Sequence, residues 1–417
     1  MPPVGRFPRA SGSTRVFSLT IPTGLQSQMR IAVAIPRYGA GVLGGAEAHG
    51  AAYARKLAEA GHYVEIVTTC SKSHYTWANE FEAGTSIEDG IVVRRFEVLE
   101  PSEHFPSLEW HIQKGYSIPY EAELLWVRSK GHSPGLVEYL ADQDFDCVIF
   151  MPYLWGCTYY GVKAVGHKAV VHLLLHDEPY ARLRTTREIV KHAAALLFNS
   201  VPEARLARRL FGDLPPSELG GMGFDPESVT KGGSGEAFRR SHKLGSTPLL
   251  LYAGRWEGGK GVPELIRYVR MVRRRRPRYR LALIGGGPDG PPRRTMGIVP
   301  IGFVSEEEKH AAFRAADVFC QPSRNESLSI VLMEAWLHRV PVLVSGFCAV
   351  TKYHCAVSGG GLWYRSFPEF EAALEVLLED RHRASSMGDS GRRYVLEVYG
   401  WDAVIERVCA ALERWFG

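Results

Sequence analysis

Residues 317–345, DVFCQPSRNESLSIVLMEAWLHRVPVLVS, constrain the fold more than any other stretch of this chain. The apolar run 318–320 reads as a buried parallel strand, the polar 321–325 as a turn, and 328–337 as an apolar segment long enough for a helix. A second buried strand, 340–344, closes a β-α-β unit of the kind that builds open parallel sheets. Two carboxylates punctuate it. Glu326 lies in the turn beyond the first strand, at the edge where open α/β sheets bind ligands. Glu334 lies inside the apolar helix, where an ionised side chain is costly unless hydrogen-bonded.

The free backbone N–H groups of Ser327, Leu328, Ser329 and Ile330 would then form a helix N-terminus suited to an anionic phosphate. Glu334, further along, could accept hydrogen bonds from two vicinal hydroxyls, as on a ribose, with Glu326 at the mouth beside a transferred group. A plainer reading stays open at this point: Glu334 as a structural carboxylate paired with an arginine, and Glu326 as a solvated turn residue.

The pattern Glu326-x7-Glu334, set in ESLSIVLMEA and followed by PVLVS, resembles the signature of retaining glycosyltransferases with the GT-B fold, in particular glycosyltransferase family four. The resemblance implies that Glu326 lies beside the donor sugar and that Glu334 holds the nucleotide ribose. The usual form is E-G-F-G-L/I; here Ser327, Leu328 and Ser329 stand where the family has Gly, Phe and Gly.

A chain of 417 residues can hold two domains with full cores. Its net charge of +5 suits anionic substrates without marking a nucleic-acid binder. Seven scattered cysteines, an odd number, point to a reducing compartment rather than a disulfide framework. Cys348, His354 and Cys355 come near one another, but no C-x-x-C pair accompanies them, so no zinc site is expected. No apolar run reaches the length of a membrane span. Residues 1–28, rich in Pro, Gly, Ser and Arg, read as a disordered extension that lacks the apolar core of a signal peptide.

From residue 30 the chain alternates strands and helices. RIAVAI, 30–35, is a buried first strand that runs into a Gly-rich loop and an Ala-rich helix. Gly44 and Gly45 stand where that helix begins, so backbone can approach a phosphate or sugar closely there; a tight turn alone would explain them as well. The run G-G-A-E resembles the first loop of family-four enzymes, which faces donor and acceptor. Segment 104–126 is dense in aromatics (Phe105, Trp110, Tyr116, Tyr120, Trp126), either an acceptor platform or core packing. KAVVHLLLH, 168–176, reads as a strand ending in His176, and the resemblance aims that histidine at the donor sugar. Asn199-Ser200 also resembles the family.

Composition shifts to Gly, Ser and Lys around 226–247, which reads as a linker between a domain at 29–225 and a second at 248–395. In the second, Arg255 and Lys260 project from a Gly-rich loop between strand and helix, an arrangement for gripping phosphate oxygens. Their spacing, G-R-x4-K-G, resembles the family's pyrophosphate clamp. Segments 281–287 and 302–304 match its nucleotide-base pocket in position. Six arginines within 273–280 read as a solvated helix end, leaving a weak peripheral membrane contact open. No motif supports nucleic-acid binding. Residues 396–417 are expected as a terminal helix crossing back to the first domain.

The resulting expectation is an α/β protein of GT-B fold, two Rossmann-like domains facing across a cleft. Its activity would be transfer of a sugar from a UDP- or GDP-sugar to an acceptor hydroxyl, with retained configuration. The acceptor is a saccharide, a lipid-linked or a small molecule. No cofactor or metal is expected, since no D-x-D pair is placed to hold one. The setting is cytoplasmic, with the inner face of the membrane as a peripheral option. A non-catalytic nucleotide-sugar-binding relative, or an epimerase or hydrolase on the same fold, is the alternative.

Overall fold

The structure, a computed structural model, describes residues 28–417 other than 43, 231 and 288; apart from Gln28, the expected N-terminal extension lies outside the described residues. Two sheets organise the chain. The first holds β1 (Arg30–Ala34), β2 (Tyr63–Thr69), β3 (Gly84–Glu88), β4 (Ile91–Phe96), β5 (Cys147–Phe150), β6 (Ala169–His172), β7 (Ala195–Phe198) and β8 (Ser217–Leu219). Their order is β3-β4-β2-β1-β5-β6-β7-β8, parallel except where β3 meets β4. The second holds β9 (Leu249–Ala253), β10 (Arg280–Ile284), β11 (Ile298–Gly302), β12 (Val318–Gln321), β13 (Val342–Ser345) and β14 (Gly361–Tyr364). It is parallel throughout, in the order β11-β10-β9-β12-β13-β14.

Successive side chains on a strand point to opposite faces, and here both faces are covered. Ile31 and Val33 enter one core while Ala32 and Ala34 enter another; Leu250 and Tyr252 separate in the same way from Leu249 and Leu251. Burial on both sides is why these strands read as continuous apolar runs. In each sheet the strand order reverses beside its first strand, at β1 and at β9. Loops leaving neighbouring strands at such a point diverge and open a crevice.

Four expectations need correction. β6 stops at His172, four residues short of His176, because Leu174 adopts a left-handed φ of 57° that no strand accommodates. The supposed linker is structured: Ser234 caps a helix at Gly235–Ser241, and Phe238 of that helix is buried in the second domain's core. The helix of the organising unit spans Ile330–Leu337 rather than starting at Leu328, since Ser329 has φ 75°. The C-terminal segment divides at Gly400 into helices Arg381–Tyr399 and Trp401–Phe416. Val395 and Tyr399 belong to the second domain's core, whereas Val404, Val408 and Leu412 complete the first domain's core against Ile31 and Tyr53. Beside this division Phe224 pairs with Gly400 as an isolated bridge, so the chain crosses between the domains twice at one place.

Candidate active site

The loop after β9 carries Arg255, a 3-10 turn at Gly258–Lys260, and then Gly261, whose φ of 73° starts the helix Val262–Arg275. A Cβ on Gly261 would stand 2.5 Å from the Pro322 carbonyl oxygen, so only glycine lets this loop lie against the one after β12. That contact brings Lys260 Nζ to 2.9 Å from Glu326 Oε1, with side chains only 20% and 12% exposed. Gln321, at the end of β12, donates to the same Glu326 oxygen at 3.3 Å and to Ser329 Oγ at 3.0 Å. Arg255 shares the loop but is exposed; its carboxylate neighbour is Glu257, 3.3 Å away.

Beyond Leu328, which is buried, Ser329 turns the chain into the helix Ile330–Leu337. The first N–H groups of a helix lack acceptors within it and favour a negative charge. Glu334 lies one turn inside. Its Oε1 accepts from Lys309 Nζ at 2.8 Å, and its Oε2 is buried with no partner among the described residues. Burial raises the Glu334 pKa and Lys309 works against that rise. The plainer expectation of an arginine partner is thus corrected to a lysine, and one carboxylate oxygen is left over.

The first domain meets this site at three places. His176 is half-buried, with Nδ1 3.8 Å from Glu178 Oε1. Burial lowers its pKa, so the imidazole is neutral near pH 7; Glu178 and Glu326 oppose the shift, while Lys260 and Arg255 add to it. His176 therefore lies within the field of the second domain's charges. Gly45 opens the helix Gly45–Glu59, and a Cβ there would sit 3.5 Å from Ile330 Cδ1. At Gly44 a Cβ would meet Glu47 Oε2 at 1.9 Å, and Glu47 is a buried partner of Arg37. The third contact joins Asn199 Nδ2 to Ser327 Oγ at 3.3 Å.

Sequence reasoning missed several residues here. The Arg37–Glu47 pair had only the G-G-A-E run as a signal. His74 had none: it follows an irregular loop, yet its pKa is held at about 4 by burial and by Arg37, Lys130 and Arg255. Within the aromatic segment the two readings divide. Phe105 and Trp126 are buried, whereas Trp110 and Tyr116 are exposed with ring centres 5.7 Å apart. Glu109, in the same segment, receives hydrogen bonds from Trp126 Nε1 at 2.6 Å and the Tyr180 hydroxyl at 2.7 Å. Beside β10 a cavity of about 390 Å³ is lined by Trp256, Gly285, Gly286, Gly287 and Phe303, where the nucleotide base was expected. In the arginine run, Arg275 pairs with Glu371 and Arg276 with Glu375 and Glu379. All seven cysteines are buried and unpaired. Among the described residues no three His, Cys, Asp or Glu side chains converge as metal ligands, and no helix is long and apolar enough to cross a membrane.

The whole chain is similar in structure to sucrose-phosphate synthase from Thermosynechococcus elongatus, with a TM-score of 0.68 over 93% of this chain and 99% of the other at 18% identity. It is also similar to the E. coli trehalose-6-phosphate protein bound with UDP-2-fluoro glucose: TM-score 0.71, 92% and 99% covered, 13% identity. These likenesses define the architecture as GT-B, two Rossmann-like domains. Residues 234–394 match the family described as Glycosyl transferases group 1. Among curated relatives, the GDP-mannose-dependent alpha-(1-6)-phosphatidylinositol monomannoside mannosyltransferase of Mycobacterium tuberculosis is 30% identical over 191 residues, 41% of this chain. The chain spans about half of that relative's length, 48%. The D-inositol 3-phosphate glycosyltransferase of Stackebrandtia nassauensis is 26% identical over 84% of this chain and 82% of its own length.

Proposed function

We propose that this protein is a retaining glycosyltransferase that moves a sugar from a nucleotide-sugar donor to an acceptor hydroxyl. The observation that carries the reading is the Lys260–Glu326 pair, 2.9 Å apart where the order of the second sheet reverses. As the bond between sugar and phosphate breaks, negative charge grows on the pyrophosphate and positive charge on the ring. Lys260, Arg255 and the N–H groups near Ser329 and Ile330 stabilise the first; preorganised charges of this kind act without reorganising during the reaction. Glu326 supports the ring, and neutral His176 meets the sugar from the other domain. The unpartnered Oε2 of Glu334 is free to accept from a ribose hydroxyl.

The donor nucleotide is UDP or GDP, in line with a UDP-sugar in one structural neighbour and GDP-mannose in the name of one relative. An inositol-type polyol, phosphorylated or carried on a lipid, is the acceptor class that the relatives' names favour. The enzyme would work in the cytoplasm, reaching lipid-borne acceptors from the membrane's inner face, and would need no metal. Thermal melting with UDP, GDP, ADP and dTDP tests the donor site, because a ligand of the folded state raises its melting temperature. One nucleotide should stabilise the wild type by several degrees and Glu334→Ala hardly at all. If none of the four shifts the wild type, the donor site is misassigned.

A further inference from the structure

A chain of contacts runs from the place where the two domains are connected to the loop that faces the donor. Its centre is Asn199, which follows β7 and is 2% exposed. All four of its polar atoms are engaged. Its N–H donates to Glu203 Oε2 at 2.6 Å, and its carbonyl accepts from the Tyr399 hydroxyl at 3.1 Å. Its side-chain oxygen pairs with His172 Nε2 at 2.9 Å, which leaves the amide nitrogen for Ser327 Oγ at 3.3 Å.

Two of these partners belong to the connection between domains. The Tyr399 carbonyl accepts from Phe224 N–H at 2.7 Å, and the Tyr399 ring lies 3.0 Å from where a Cβ on Gly221 would be. His172 packs edge-on against His49 with ring centres 4.8 Å apart. His49 Nε2 and the Tyr53 hydroxyl both reach the Gly221 carbonyl, at 3.1 and 2.8 Å. Asn199 therefore ties a rigid, buried assembly at the crossover to one atom of the second domain's loop. That atom exists because this chain has serine where the family pattern has glycine, which offers an N–H but no side chain.

We propose that Asn199 is a positioning residue: through the Ser327 hydroxyl it holds the loop between β12 and the helix Ile330–Leu337 against the first domain when the domains close. The inference rests on the glycosyltransferase reading above, since closure matters only for a ligand gripped by both domains. Where the binding-competent arrangement is a fraction of the population, apparent affinity falls with that fraction. Removing the contact should therefore weaken binding of a bridging ligand without altering the groups that touch it.

The test is calorimetric titration of the wild type, Asn199→Ala, Ser327→Ala and the double variant with the sugar nucleotides UDP-glucose and GDP-mannose, whose sugars reach the first domain. Each single change should raise the Kd of the nucleotide that binds by about fivefold, the loss of one net hydrogen bond. The double variant should lose no more than the larger single, because both changes remove the same contact. Asn199→Ala also leaves His172 without its partner and should lower the melting temperature of the free protein. Ser327→Ala decides the matter, since it should leave that temperature unchanged while Ser327→Thr restores most of the affinity. Wild-type affinity in Ser327→Ala, or additive losses, overturns the positioning role alone. A wild type that binds neither nucleotide overturns the glycosyltransferase reading and this inference with it.

Discussion

At the scale of single residues, the serines that replace the family's glycines show how a local rule is kept by other means. Ser329 holds φ 75°, a left-handed conformation that costs an L-residue roughly 1–2 kcal/mol. Gln321 Nε2 to Ser329 Oγ, at 3.0 Å, offsets part of that cost. Ser329→Ala keeps the strain and loses the bond, so it should destabilise the protein by about 1 kcal/mol in chemical denaturation. Ser329→Gly loses both and should be close to neutral; equal losses in the two variants would mean that strain plays no part. The glutamate spacing was legible in sequence because it falls on one turn and one helix. The partner of Glu334 was not: Lys309 arrives from another helix, and nothing in a linear pattern distinguishes it from an arginine.

At the scale of elements, the approach of the loops after β9 and β12 decides whether Lys260 and Glu326 can meet. Gly261→Ala would place a methyl group 2.5 Å from the Pro322 carbonyl at a φ of 73°. Backbone strain of this kind is worth about 1–3 kcal/mol, so the variant should melt lower and lose most nucleotide affinity together. Full affinity in a folded Gly261→Ala would show that the two loops need not touch. The strands were legible because burial on both faces leaves little but apolar residues. Elements set by side-chain capping or by one backbone angle were not. Ser234 nucleates a helix within a Gly- and Ser-rich stretch, and Leu174 ends β6 early although the apolar run continues through Leu175. The aromatic segment 104–126 could not be resolved in sequence for a related reason: its order comes from contacts such as Glu109 with Trp126 and Tyr180, which periodicity does not encode.

At the scale of the molecule, three fully buried histidines lie along the seam between the domains. Burial holds His49 at about 4 and His354 at about 3, and pushes His172 well below its ordinary value. The unfolded chain takes up protons at these positions below about pH 6.5, while the folded chain does not. Their contribution is therefore complete above that pH and is lost as the pH falls toward 4. Glu203, pushed up to about 8 by burial, and Glu334, also raised by burial, act in the opposite sense but are outnumbered by the histidines. The melting temperature should drop by at least about 5 °C between pH 7.5 and pH 5; an equal or higher value at pH 5 would mean that these rings are solvated in the folded state. The two-domain plan itself was readable from the order of motifs. The double crossover depends on Phe224 meeting Gly400, residues more than 170 positions apart.

The most direct measurement is NMR analysis of the products formed from UDP-glucose and from GDP-mannose, each offered with inositol 3-phosphate and with no acceptor, by the wild type and by Lys260→Ala. One donor should be consumed by the wild type, with release of its nucleoside diphosphate and an α-linked product. Lys260→Ala should lower kcat/KM by at least about 100-fold, the scale on which removal of one preorganised transition-state contact acts. A donor that binds but stays intact, a β-linked product, or an undiminished Lys260→Ala would contradict retaining transfer at this site.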